Sequence, residues 1–213
     1  MSIVTKLCYI ATILVLYLMG YTTVQGLVQV GEFDFYTSVD SLLPLIPEFV
    51  WVYHSIIPVM FITMIGVVRD KSLFFNMFWA CLAASIVLNI SYILMPAFYP
   101  REAFEVQTLS EYILEITRQM DGAQNTFPSG HVTFSWLILL AAAEALTNKS
   151  MRLIYFLWAM AVTVSTLVLK QHYIVDVFSG ILLAYGVFYL VKRLMSAKLS
   201  LFTSDDVSNA KGW

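Results

Sequence analysis

Charged residues are scarce in this chain. Asp, Glu, Lys and Arg together make up 12% of the 213 residues, whereas apolar residues make up 60%. Soluble domains contain roughly 25% charged and 45–50% apolar residues, so this composition excludes an ordinary soluble domain and is typical of a membrane protein. The net charge of −2 says little about partners, but the chain has neither a basic cluster nor a nucleic-acid-binding motif, so we expect no nucleic-acid partner.

Groups that form disulfides or hold metal ions are equally sparse. The two cysteines, Cys8 and Cys81, lie in different apolar stretches, so we expect both to be packing residues with no disulfide between them. The glutamates between residues 102 and 115 are spread along one loop and offer no carboxylate cage for a hard cation. We therefore expect no metal and no other cofactor.

Long apolar runs, in contrast, are abundant. A helix needs about 20 apolar residues to cross a bilayer core, and six stretches of the chain approach that length. We predict an all-α fold, an integral membrane bundle of six transmembrane helices that residues 1–200 form as a single domain. The six stretches lie near residues 7–24, 49–68, 73–95, 131–146, 153–169 and 173–191.

The two ends of the chain need separate interpretations. The first apolar stretch follows Lys6, as it would in a secretory signal, but it is long for a signal and no clean small-residue cleavage site follows it. We predict that this stretch is retained as the first helix. Residues 201–213 are polar and rich in Ser, Asp, Asn and Lys, a composition that predicts a disordered cytoplasmic tail.

Lys and Arg are divided unequally between the loops. With six spans, Arg101, Arg118 and Lys170 fall on one side, and the other nine fall on the side of both termini. Because cytoplasmic loops carry the excess of basic residues, we predict cytoplasmic termini and an outer face that receives the ends of several spans. The nine are Lys6, Arg69, Lys71, Lys149, Arg152, Lys192, Arg193, Lys198 and Lys211.

The outer loop at residues 97–127 contains a further helical pattern. Five large residues recur there at helical spacing, and Thr108 and Glu111 are placed as a capping box just before them. We predict an amphipathic helix lying in the outer membrane interface. It either seals the bundle or forms a lid or lipid entrance, and the sequence favours neither. The five residues are Leu109, Tyr112, Ile113, Ile116 and Met120.

The motif Pro128-Ser129-Gly130-His131 stands where the loop passes into the fourth apolar stretch. Proline is tolerated at a helix start, serine caps helices, and glycine allows the backbone to approach a ligand closely. The free N–H groups and the helix dipole attract an anion such as phosphate. Taken alone, the motif is equally compatible with an ordinary helix cap.

His172 and Asp176 open the last apolar stretch four residues apart. This spacing puts them on one helix face, so that the carboxylate can accept the Nδ1 proton and leave Nε2 free as a nucleophile. A lone histidine near a membrane interface is more often structural. An Asp inside a membrane is costly without a purpose, however, and His131 is expected on the same side.

At these residues the chain resembles the type 2 phosphatidic acid phosphatase and haloperoxidase superfamily. The resemblance rests on the motif at residues 128–131 and on Ser165, His172 and Asp176 at the family's spacing, followed by Gly180. Two spaced motifs in the right order are a specific signal. They cover the third to sixth predicted helices.

The resemblance implies a role for each motif residue. His172 would be the nucleophile that accepts the phosphoryl group, and Asp176 would orient it. His131 would act first as general acid and then as general base. Ser129 and Gly130 would help to hold the phosphate, and no metal would be required.

Two positions depart from the family pattern. Thr166 stands where the family usually has an Arg, and Leu94 stands where it has a Lys. Lys170 lies four residues after Thr166, hence on the same helical face, and we expect it to supply the missing charge, without the bidentate geometry of a guanidinium. Arg101 is the best candidate for the remaining phosphate clamp, with a role as a headgroup anchor as the alternative.

The predicted function is that of an integral membrane lipid phosphate phosphatase with its site on the outer face. It would cleave a phosphomonoester or pyrophosphate through a phosphohistidine. The stretch Lys170-Gln171-His172-Tyr173 also resembles the inositol-phosphorylceramide-synthase branch, so transfer of a headgroup to a lipid alcohol is an alternative. A non-catalytic membrane protein or transporter on the same fold is another. The expected partners are the lipid phosphate and the bilayer, and the sequence indicates neither the lipid nor the oligomeric state.

Overall fold

The computed structural model describes residues 1–28, 31–101, 103–121 and 123–209, with side chains described as far as Ala197. Within these residues the secondary structure is helical, apart from isolated bridges between Phe33 and Ala97 and between Phe98 and Gln124. The predicted all-α class is confirmed. The helices are α1 Ile3–Leu27, α2 Pro47–Val67, α3 Lys71–Leu94, α4 Leu109–Asp121, α5 Gly130–Ala145, α6 Lys149–Val168 and α7 Ile174–Asn209.

Five of the described helices are long and apolar enough to cross a membrane. They are α1, α2, α3, α6 and the Ile174–Ala197 part of α7. The remaining predicted span forms α5, which has 16 residues against the roughly 20 that a bilayer core takes. Length and composition therefore give one span fewer than predicted. The predicted tail at residues 201–213 lies outside the residues whose side chains are described.

The short helix α5 is the centre of the bundle. It packs against α3, α6 and α7, while α1 packs against the outside of α3. Leu137 and Ile138 of α5 are buried in one core with Met77 of α3 and Phe188 of α7. A helix that is apolar all round is a buried helix, which explains the composition of α5. Its first turn therefore lies in the middle of one end of the molecule.

Helix α2 is broken into segments. A single 3₁₀ turn, Pro47–Phe49, leads into Val50–His54, and a second segment, Ile56–Phe61, follows after Ser55. Pro58 has no N–H with which to bond the carbonyl of His54, so the ladder fails there. The break sets the direction of the first segment, which carries Tyr53 toward the site end of the bundle.

The far end of α2 is held by Lys6 of α1. The Lys6 ammonium donates to the carbonyls of Met64 at 2.9 Å, Ile65 at 3.2 Å and Val68 at 2.6 Å, and the side chain is buried. These carbonyls lie where α2 widens into a π-helical turn and ends, and an ammonium can satisfy several of them at once. One of the nine basic residues in the orientation argument is thus a helix cap.

Helix α4 lies across the site end of the bundle and contacts α2. Its predicted capping box is confirmed, because Thr108 Oγ1 accepts from the Glu111 N–H at 3.2 Å and Glu111 Oε2 accepts from the Thr108 N–H at 2.7 Å. The backbone N–H of Gln107, followed by the groups of Thr108, lowers the pKa of Glu111 by hydrogen bonding. Leu114 of α4 is buried against α2, so α4 covers the bundle end that holds the site.

Candidate active site

The start of α5 is fixed by its own cap and by bonds to two other helices. The hydroxyl of Ser129 caps the helix by accepting from the Val132 N–H at 3.4 Å. Tyr92 of α3 donates its hydroxyl to the carbonyl of Pro128 at 3.1 Å. The N–H of Ser129 donates to the carbonyl of Asp176 in α7 at 3.0 Å. The first motif is thereby tied directly to the helix that carries the second.

A glycine permits this close approach of α5 and α7. The Thr133 hydroxyl bonds the carbonyls of Ser129 at 2.8 Å and Gly180 at 3.2 Å. A Cβ at position 180 would stand 2.8 Å from the Ser129 carbonyl oxygen and 3.2 Å from the Val132 Cβ. Only a residue without a side chain fits there, which gives the Gly180 of the sequence motif a physical reason.

We expect Gly180→Ala to push α7 away from the start of α5 and to lower activity by about tenfold or more, because a displacement of about 1 Å at reacting groups is costly. The thermal unfolding temperature in detergent should fall as well, since overpacking a tight contact destabilises. Gly186→Ala is the matched control on the same helix, because a Cβ there meets nothing within 4 Å. Equal effects of the two changes would contradict the role of Gly180.

His172 is held by a backbone carbonyl. Its Nδ1 lies 2.9 Å from the carbonyl oxygen of Thr126 and 3.5 Å from Oδ2 of Asp176. Because a carbonyl can only accept, Nδ1 carries the proton, and in the neutral ring Nε2 keeps its lone pair. The orientation expected from the sequence is present, but the nearer acceptor is Thr126 and the carboxylate of Asp176 is the more distant one.

Asp176 is fully buried and has a second task at the start of α7. Its Oδ2 accepts from the backbone N–H of Tyr173 at 2.9 Å, and Oδ1 of Asp40 accepts from the N–H of Ile174 at 2.9 Å. Two carboxylates therefore cap the same helix start, where negative charge is favoured. This capping fixes the turn that carries His172.

His131 is positioned by aromatic stacking. Its ring lies on that of Tyr53 in α2, with centroids 3.7 Å apart and planes inclined by 21°. The Tyr53 hydroxyl donates to Oδ2 of Asp121 at 3.2 Å, and the Tyr21 hydroxyl donates to Oδ1 of the same carboxylate. Asp121 thus anchors the stacking partner of His131.

Both histidines line one small cavity at this end of the bundle. Gly130 and Arg101 line it too, so four of the predicted site residues come together there. Arg101 donates from a terminal nitrogen to the carbonyl of Arg118 at 2.7 Å, and its Nε has no hydrogen-bond partner among the described residues. Of the lining residues that the structure describes, Arg101 is the single Lys or Arg.

Lys170 lies elsewhere. Helix α6 ends at Val168, and Lys170 adopts a left-handed conformation with φ of 56°, so the argument from helical spacing to Thr166 was wrong. Its ammonium donates to the carbonyl of Asp40 at 3.0 Å, and the residue lines a separate cavity. Lys170 is not among the described residues that line the cavity with the two histidines.

Thr166 supports the turn before His172. Its hydroxyl donates to the carbonyl of Thr163 at 2.8 Å, and its own carbonyl accepts from the N–H groups of Gln171 at 3.0 Å and His172 at 3.2 Å. It is fully buried, as Ser129 is, and neither belongs to the described lining of the cavity. Both residues act on the position of the reacting side chains.

Further lining residues carried no signal in the sequence that we used for a site. Asn125, Thr126 and Gln171 lie beside the two motifs and line the cavity with the histidines. Neutral polar side chains follow no ligand-spacing rule, and their adjacency to His131 and His172 in the sequence was the one available indication.

An apolar groove of about 220 Å³ adjoins the cavity. Tyr17, Tyr21, Asp121, Gly130 and His131 line both spaces, so the groove and the cavity share a wall at His131. The rest of the groove is made by α1, α2 and α5. These residues are Ile13, Leu14, Leu18, Ile56, Ile57, Met60 and Phe134.

Comparison with known proteins gives one family and one distant relative. The family model described as the PAP2 superfamily matches residues 44–190, well over half of the chain and both motifs. An uncharacterized protein of Methanocaldococcus jannaschii is 34% identical over 67 residues, which are 32% of this chain and 27% of that protein. The match thus spans about a quarter of the relative's length. No solved structure matches the chain significantly.

Proposed function

The chain belongs to the PAP2 superfamily, the type 2 phosphatidic acid phosphatases, and from this we propose that it is a multi-pass membrane lipid phosphate phosphatase working through a phosphohistidine. Membership supports a phosphatase-like enzyme in general. The observation that carries the finer proposal is a cavity with His131, His172 and Arg101 that shares a wall with an apolar groove. The relation to the inositol-phosphorylceramide-synthase branch stays a prediction.

The first step is attack of His172 on phosphorus. The bond from Nδ1 to the Thr126 carbonyl leaves the Nε2 lone pair available in the neutral ring. Nε2 forms a bond to phosphorus while the bond from phosphorus to the lipid oxygen breaks. Protonated His131 gives its proton to the departing oxygen, and the lipid leaves as an alcohol, or as a monophosphate when the substrate is a pyrophosphate.

The second step reverses the roles. Neutral His131 takes a proton from water, whose oxygen attacks the phosphohistidine. The bond from Nε2 to phosphorus breaks, inorganic phosphate leaves, and His172 is restored. Asp176 and Thr126 keep the ring oriented through both steps. Arg101 balances charge on the phosphoryl oxygens, and Gly130 leaves room for the phosphate to approach the start of α5.

The apolar groove suits the hydrocarbon tail of the substrate. Ile13 and Leu14 of α1 and Ile57 and Met60 of α2 line it, and His131 belongs to the wall that it shares with the histidine cavity. If the hydrocarbon tail lies in this groove, the phosphate at the polar end of the lipid lies in the histidine cavity. The continuity of the two spaces therefore supports a lipid phosphate over a small soluble one.

The membrane arrangement completes the proposal. We infer six spans with α5 as the fourth, because most of α5 is buried against the other helices and need not match the bilayer by itself. The excess of Lys and Arg on the side of the termini supports a cytoplasmic position for both ends. The site then lies on the outer face, beneath α4 as an interfacial helix.

No metal enters the proposed chemistry, since a histidine is the nucleophile and another is the acid. In the part of the chain that the structure describes, no three His, Cys, Asp or Glu side chains are grouped as metal ligands. We expect the purified protein in detergent to release inorganic phosphate from lipid phosphates at an unchanged rate after treatment with a chelator.

The substrates for this assay should distinguish recognition of the hydrocarbon tail from recognition of the phosphate. Phosphatidate, an isoprenyl pyrophosphate and water-soluble glycerol phosphate are compared with and without chelator. Release from at least one lipid and little from glycerol phosphate agrees with the groove. Loss of release under chelator, restored by adding back a divalent cation, would contradict the metal-free mechanism.

A further inference from the structure

Three neutral polar side chains in the histidine cavity are buried without partners. Asn125, Thr126 and Gln171 are 3%, 2% and 1% exposed, and all three line the cavity that contains His131 and His172. Both polar atoms of each amide and the hydroxyl of Thr126 make no hydrogen bond to any described residue. The three residues that carry these five potential donor or acceptor atoms thus line one small space.

Leaving such atoms unpaired is unfavourable. A buried polar group without a partner carries the full cost of its lost hydration, and buried side-chain polar atoms nearly always have a partner. The orientation assigned to an amide does not affect this point, because both its nitrogen and its oxygen are unpaired in Asn125 and in Gln171. The arrangement indicates a polar ligand that occupies the cavity.

The backbone fixes these side chains relative to the reacting groups. The Thr126 carbonyl is the acceptor for His172 Nδ1, and Gln171 directly precedes His172, with its N–H bonded to the Thr166 carbonyl at 3.0 Å. Asn125 has φ of 65°, a left-handed conformation that Asn tolerates better than most residues. All three are therefore positioned by the same turns that hold the nucleophile.

We propose that Asn125, Thr126 and Gln171 form a neutral cradle that binds the phosphoryl oxygens beside Arg101. This proposal rests on the proposed function and specifies how its phosphate is held. The two amide N–H₂ groups and the Thr126 hydroxyl donate to phosphoryl oxygens. The two amide oxygens accept from a P–OH group or from the attacking water.

The cradle explains how the site works with few cations. Among the described lining residues, Arg101 is the one Lys or Arg and Asp121 is the one Asp or Glu. Their formal charges cancel. Neutral donors then supply the hydrogen bonds that Thr166, Leu94 and the distant Lys170 do not. Such a cradle suits a phosphoryl group of low charge, singly protonated or esterified, because the protonated His131 of the first step then leaves one net positive charge, which balances a monoanion and not a dianion.

The test measures binding without turnover. Thermal unfolding of the purified protein is followed with increasing inorganic phosphate and, separately, with octylphosphonate, whose C–P bond is not cleaved. We expect Gln171→Met and Thr126→Val each to weaken the binding of both probes by about tenfold or more, as lost hydrogen bonds to a charged group do. Asn125→Asp, which retains the left-handed preference and adds a negative charge, should abolish phosphate binding.

Stability without ligand distinguishes the cradle from a structural role. Gln171→Met and Thr126→Val replace unpaired buried atoms by apolar ones, so the unliganded protein should unfold at an equal or higher temperature. A structural role would lower it. Asn76→Leu is the matched control, because Asn76 on α3 is also buried with an unpaired oxygen but lies outside the described cavity lining. It should leave binding of both probes unchanged.

Three results would overturn the cradle. The first is that inorganic phosphate does not stabilise the unsubstituted protein. The second is that octylphosphonate alone stabilises it, which would place the binding in the groove. The third is that the cradle variants and Asn76→Leu bind phosphate equally well. None of these removes the phosphate release expected of the proposed function. Conversely, phosphate binding that depends on the cradle in a protein without phosphatase activity would contradict the proposed function and keep the cradle.

Discussion

His172→Ala should abolish the release of phosphate from the lipid substrate, with kcat falling by roughly 10⁴-fold or more, as when a covalent nucleophile is removed. The expectation follows from the position of the ring. Its Nδ1 bonds the Thr126 carbonyl, so Nε2 faces the cavity as the nucleophile, and Ala leaves nothing that can form the phosphoryl intermediate.

The control for this loss is the third histidine of the chain. His54 bonds the Thr117 hydroxyl through Nε2 at 2.8 Å and lies outside the described lining of the histidine cavity. His54→Ala should therefore retain most of the activity. Both variants should unfold at temperatures close to that of the unsubstituted protein. Substantial phosphate release by His172→Ala would show that another group attacks phosphorus.

His131→Ala should lower kcat by about 10²–10⁴-fold on substrates with an alcohol leaving group, the usual contribution of general acid–base catalysis. The size of the loss depends on the leaving group. A nitrophenolate leaves without being protonated, so formation of the phosphohistidine from 4-nitrophenyl phosphate should be nearly unaffected. Water attack still needs a base, so the phosphorylated enzyme should accumulate. A burst of nitrophenol followed by a slow steady state is the expected time course.

Tyr53→Leu tests how His131 is held. It removes the ring that stacks on His131 at 3.7 Å but leaves the acid itself in place. The fall in kcat should therefore be smaller than for His131→Ala and should depend on the leaving group in the same way. An equal loss of activity by His131→Ala on alcohol and nitrophenol substrates, with no burst, would contradict the assignment of His131 as the general acid.

Much of the architecture follows from composition and periodicity. The apolar runs predicted the helices because backbone N–H and C=O groups in lipid must be hydrogen-bonded, and a helix does this within one segment. The capping box at Thr108 and Glu111 was predictable because geometry fixes its spacing. The length of α5 was not readable in the same way. A span surrounded by protein can be shorter than the bilayer, and sequence hydropathy does not distinguish lipid from protein neighbours.

The site was predictable in its histidines and less so in its clamp. His131 and His172 were identified because each belongs to a recognisable motif next to the start of a helix. The position of Lys170 was predicted wrongly because the spacing argument from Thr166 assumed that α6 continues to residue 170. Helix α6 ends at Val168, two residues earlier. Contacts of Asp121 with Tyr21 and Tyr53 join residues 100 and 68 positions apart, respectively, and no local pattern encodes such contacts.

The proposed covalent intermediate can be observed directly. His131→Ala protein is mixed with 4-nitrophenyl phosphate, quenched in alkali, where phosphohistidine is stable, and digested for mass spectrometry. The expected result is a phosphoryl group on the peptide that contains His172, absent from the same preparation carrying His172→Ala as well. A phosphoryl group on another residue, or phosphate release with no phosphorylated peptide during steady-state turnover, would contradict the mechanism.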